Sequence, residues 1–102
     1  MRKRPLVVAH TYDKKGRLLS RAANSYTQSH PVQAKYAARA GKPHAIYLHA
    51  EIAALLRAGQ TPVFKLTVER YYADGRPALA KPCPICELAI KDWGVKHVEY
   101  TQ

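Results

Sequence analysis

A chain of 102 residues, 47% hydrophobic and 24% charged, has the composition of one globular domain spanning residues 1–102. That excludes a disordered tail, a collagen-like repeat or a second catalytic lobe. Seventeen Lys and Arg against seven Asp and Glu leave a net charge of +10, which favours phosphate-bearing partners through long-range attraction.

Residues 6–12 are rich in β-formers, and residues 17–23 carry a second short apolar stretch. Between them Asp13-Lys14-Lys15-Gly16 supplies turn residues, so the pair reads as an antiparallel hairpin. From residue 24 to 43 the composition shifts to Ser, Thr, Gln, His, Pro and Gly, with a short helix over 32–40 stopped by Gly41. This segment reads as a connection that can also wall a site. Residues 46–48 lead into a helix over 50–58, where Ile52, Leu55 and Leu56 recur at helical spacing and Gly59 is the stop. A strand is expected over 63–72, with Phe64, Leu66 and Val68 on its inner face, ended by a loop over 73–77. A second full helix is expected over 84–93, with Ile85, Leu88 and Ala89 turned inward, Pro84 in its first turn and Gly94 as its stop. Residues 95–100 form a last strand. A strand, helix, strand run requires a parallel pair, so the fold class is α/β with a mixed sheet covered by helices.

Cys83 and Cys86 are the only cysteines, too few for a disulfide framework, and their spacing reads as a metal half-site or a redox pair in a reducing compartment. The basic start Met1-Arg2-Lys3-Arg4 has the look of a signal n-region, but the apolar run 6–9 is interrupted by His10, and no stretch approaches membrane-spanning length. A cytoplasmic protein without a membrane partner is expected. A chain this short gains stability by self-association, so a homo-oligomer is a further expectation.

Two short motifs sit at the starts of the two full helices: His49-Ala50-Glu51, and Pro82-Cys83-Pro84-Ile85-Cys86. Cysteines three residues apart lie one helical turn apart on one face, and the positive end of the helix dipole favours their thiolates. His49 on the facing helix would complete three ligands and leave a coordination position open, the arrangement of a catalytic zinc rather than a closed structural one. Glu51, two residues from His49, is placed to move a proton without having to bind the metal. A thioredoxin-like reading fails on order, since the Cys pair opens a late helix and His49 and Glu51 are left without a purpose.

The paired motifs resemble those of the zinc-dependent cytidine and deoxycytidylate deaminase superfamily, which includes tRNA adenosine deaminases and polynucleotide cytidine deaminases. The resemblance implies a three-layer cytidine-deaminase-like fold, with an N-terminal antiparallel hairpin and parallel C-terminal strands, truncated at both ends relative to the common pattern. It implies zinc on His49, Cys83 and Cys86, with Glu51 as the proton shuttle. By the same resemblance Asn24, the backbone of Ala50 and the carbonyl of Lys81 would contact the substrate. The implied reaction is hydrolytic conversion of a cytosine base to uracil, in a (deoxy)cytidine nucleotide or, alternatively, cytosine or adenine in single-stranded DNA or RNA. A non-catalytic, zinc-stabilised nucleic-acid-binding module is the alternative of another class. The basic residues Arg2, Lys3, Arg4, Lys14, Lys15, Arg17 and Arg21 cluster along the hairpin, and of these Arg17 and Arg21 are the expected phosphate contacts.

Overall fold

The computed structural model describes residues 5–102, so the expected basic cluster Arg2, Lys3 and Arg4 lies outside the described residues. The chain opens with strands β1 (Leu6–Tyr12) and β2 (Leu18–Ala23), paired antiparallel. Asp13 makes their turn: its Oδ1 accepts the backbone N–H of Lys15 and of Arg17, both at 2.9 Å, and Gly16 takes φ 82°. A carboxylate that captures its own backbone in this way substitutes for a strand ladder and reverses the chain. Helix α1 (Pro31–Arg39) follows, with proline at its start and His30 Nδ1 accepting the Val32 N–H at 3.1 Å. Helix α2 (Ala50–Arg57), strand β3 (Lys65–Tyr71), the two-residue strand β4 (Pro77–Ala78), helix α3 (Pro84–Trp93) and strand β5 (His97–Tyr100) complete the order.

The sheet runs β2-β1-β3, with β4 and β5 sharing the far edge of β3. Arg70 and Tyr71 pair antiparallel with β4, whereas Lys65 to Val68 pair parallel with β5. The remaining ladders are antiparallel. Strand β4 falls where a plain loop was expected, because two residues are too few to show alternation in sequence. The turn before it, in which Asp74 Oδ1 accepts the Arg76 N–H at 3.0 Å, swings Pro77 and Ala78 back onto β3.

Ala9 and Thr11 of β1, Ala22 of β2, and Leu66 and Val68 of β3 are buried, and the strand registers put them on one face. Helix α2 lies across β1, β2 and β3, and α3 packs between α2 and α1. Their buried side chains, among them Ile52, Leu55, Ile85 and Ala89, form one core with that face. Burying Ile52, Leu55 and Ile85 contributes roughly 1.5–3 kcal/mol each. The opposite face carries His10, Tyr12, Arg21, Lys65, Thr67, Glu69 and Glu99, all at least partly exposed, with Lys65 Nζ 3.0 Å from Glu99 Oε2. The expected three layers are therefore corrected to two among the described residues: these polar positions offer a helix nothing to bury. No helix of the described residues is long and apolar enough to cross a membrane.

Candidate metal centre and cleft

Two helices begin side by side at one end of the covered face. His49 is the N-cap of α2, with extended backbone, and Cys83 is the N-cap of α3, with Cys86 one turn further in. The Nδ1 atom of His49 stands 3.3 Å from Cys86 Sγ and 3.5 Å from Cys83 Sγ. With Zn–S near 2.3 Å and Zn–N near 2.0 Å, a tetrahedral ion separates a ligand nitrogen from a ligand sulfur by about 3.5 Å. The three donor atoms lie within 4.8 Å of one another, and no other His, Cys, Asp or Glu trio among the described residues comes as close. Soft thiolates with an imidazole are a zinc donor set, so both chemistry and spacing fit that ion.

The electrostatics at the helix starts favour a thiolate. The Cys83 thiol is pulled down to about 3, first by the hydrogen bond from Cys86 and then by His49 and the backbone N–H of Cys86. The same hydrogen bond and burial push Cys86 up. His49 is raised by its bond to Cys83. Glu51 is only 6% exposed, and burial pushes its carboxyl above the usual carboxylate range. Burial beside a cluster of metal-ligand types is a setting in which a carboxyl can serve in proton transfer.

The donors open onto a cavity of about 370 Å³ that His49, Glu51 and Cys83 line, whereas Cys86 is buried behind them. Asn24, Ala50 and Lys81, named from sequence as substrate contacts, line it too. Asn24 Oδ1 accepts the Val7 N–H at 3.0 Å, so its carbonyl side is spent on β1 and its NH2 side remains for a ligand. Ala50 stands at the first position of α2, where a helix leaves its own N–H groups unpaired.

Arg17 and Arg21 are not brought to this cavity. The Arg17 guanidinium lies 2.7 Å from Asp13 Oδ2 at the hairpin turn, and Arg21 projects from β2 on the uncovered face, paired in register with His10. The cavity instead takes the cation Arg70 from the end of β3, together with Lys81, Tyr26, Tyr47 and Leu79. Sequence reading missed Arg70, although it follows Leu66 and Val68 on the covered face of β3 and so breaks that face's apolar run. Three of the remaining histidines serve locally: His30 caps α1, His10 stacks with Tyr12, and His97 packs edge-on against Phe64.

Gln33 was also missed. It is fully buried on α1, its Oε1 accepting the His49 N–H at 3.1 Å and its Nε2 donating to the Ala45 carbonyl at 3.1 Å. It thereby fixes the loop that presents His49, a role no local pattern announces. Replacing Gln33 with Leu strands the partly buried His49 N–H and Ala45 carbonyl, so the variant should lose roughly 1–3 kcal/mol. Urea unfolding checks the stability, and competition with a zinc chelator should show weaker metal binding.

Comparison of the chain with the known protein families and with curated protein sequences finds no match.

Proposed function

We propose that the protein is a zinc-dependent hydrolytic deaminase that converts a cytosine base to uracil. The observation that carries the reading is the convergence of His49, Cys83 and Cys86 with a buried carboxylate, Glu51, at two adjacent helix starts facing one cavity. A purely structural zinc site has no use for a buried acid beside it, which weighs against a non-catalytic module. The resemblance of the two motifs to the deaminase superfamily supports the same reading. Zinc held there would supply the Lewis acidity that makes water a nucleophile near neutrality.

The chain's own groups supply the rest. Glu51 takes a proton from the attacking water and delivers it to ring N3 as the new C–O bond forms at C4; it then passes the hydroxyl proton to the amino nitrogen, the C–N bond breaks, ammonia leaves and the C4 oxygen becomes the uracil carbonyl. The Asn24 NH2, the Ala50 N–H and the Lys81 carbonyl orient the base, and the walls from Val7 and Ala80 exclude bulk water. A panel of cytidine, deoxycytidylate, adenosine, and cytosine- or adenine-containing single strands, assayed for ammonia release with zinc-loaded protein, tests the reading. Ammonia from a cytosine substrate supports it. Ammonia from adenine alone replaces the base, and none from any substrate leaves a binding module.

A further inference from the structure

Glu51 lines the cavity and is only 6% exposed, so a base that reaches it has left any stack with its neighbours. The mouth holds more than one base requires. Tyr47 is 51% exposed and Leu79 56% exposed, and both line the cavity. Tyr47 is not loosely attached, because its segment bridges to Ser29 and the neighbouring Leu48 exchanges backbone hydrogen bonds with Ser25 and Gln28. An aromatic ring on an ordered rim, outside the place of the reacting base, has a free face for a second base.

Charge at the mouth points the same way. Arg70 and Lys81, both exposed and both lining the cavity, have no ion-pair partner among the described residues. They come from the end of β3 and the segment after β4, whereas Tyr47 comes from the loop before α2. Cations and ring thus flank the base position from different segments, as a chain running through the mouth would need.

Resting on the deaminase reading, we infer that the reacting base enters as one residue of a single-stranded nucleic acid, a neighbouring base stacking on Tyr47 and flanking phosphates meeting Arg70 and Lys81. Base–aromatic stacking tolerates any sequence, and the cations read the backbone without reading bases.

The test uses the full chain loaded with zinc and carrying Glu51→Gln, so that substrate is bound and not consumed. Fluorescence anisotropy compares a labelled pyrimidine oligodeoxynucleotide containing one cytosine, its RNA counterpart, and unlabelled deoxycytidylate as competitor. The strand should bind at least about tenfold more tightly than the mononucleotide, with a log–log salt slope of about −1.4 for two phosphates. Tyr47→Ala should weaken strand binding about tenfold, and Arg70→Gln should make the slope shallower by about 0.7. Lys96→Gln removes a charge from the distant groove beside Phe64 and should change neither. The DNA and RNA arms tell which sugar the mouth prefers.

Equal, salt-insensitive affinity for strand and mononucleotide overturns the inference. So does turnover of deoxycytidylate by the parental protein without strand binding, an outcome that leaves the proposed reaction standing. Strand binding lost in Tyr47→Ala, with no ammonia released by the parental protein from any base, keeps the strand site and removes the reaction.

Discussion

Changing either Cys83 or Cys86 to Ser is expected to cost the protein its zinc. Structural zinc sites bind with roughly 10–16 kcal/mol, which over four coordination positions is about 3 kcal/mol per donor, or on the order of a hundredfold in affinity. Both sulfurs stand within 3.5 Å of His49 Nδ1, so neither is a spectator, and serine oxygen is a poorer donor for this ion than thiolate. Metal analysis after gel filtration should find about one zinc per parental chain and little in either variant. Zinc added to the metal-free parental protein should raise its melting temperature, since a ligand that binds only the folded state stabilises it, by about 4 kcal/mol at a thousandfold excess over Kd. Full zinc occupancy in both serine variants would remove the centre as drawn.

The second large effect is expected from Glu51→Gln. The side chain is buried and lines the same cavity as His49 and Cys83, yet it is not one of the three groups that close on a common point. Glutamine keeps the shape and removes the capacity to take up and return a proton. Turnover should fall by about 10²–10⁴, the usual worth of general acid–base catalysis, while zinc content stays at the parental level. The two readouts separate a lost proton shuttle from a damaged metal centre. Parental turnover in a zinc-replete variant would sink the role assigned to Glu51.

Local sequence signals explain much of what could be read in advance. Strand β1 and helix α3 fall at their expected bounds, because alternation over seven residues and a proline-to-glycine frame around an amphipathic stretch each act within a turn or a ladder. Helix α1 is displaced by one residue, beginning at Pro31, since His30 caps it and proline takes the first helical position. Helix α2 was read from one apolar stripe at Ile52, Leu55 and Leu56, but Ala50, Ala53 and Ala54 are buried as well. Small residues all round let it fit between the sheet and α3, and a stripe by itself does not reveal that second contact.

Short-range chemistry is legible along the chain: the hairpin turn at Asp13, the two full helices, and the motifs that set His49 and Glu51 at one helix start and Cys83 and Cys86 at the other. Which groups meet across long separations is settled by packing. It joined His49 to Cys86, buried Glu51, recruited Gln33 from α1 to hold the His49 loop, and carried Arg70 rather than Arg17 or Arg21 to the cleft. It also left one sheet face uncovered among the described residues, reducing three expected layers to two. The physical reason is range: propensity, capping and turn chemistry act over a few residues and leave a readable pattern. Burial and convergence depend on how the sheet and helices pack, and a buried Gln or a cleft-lining Arg carries no local mark of where packing will place it.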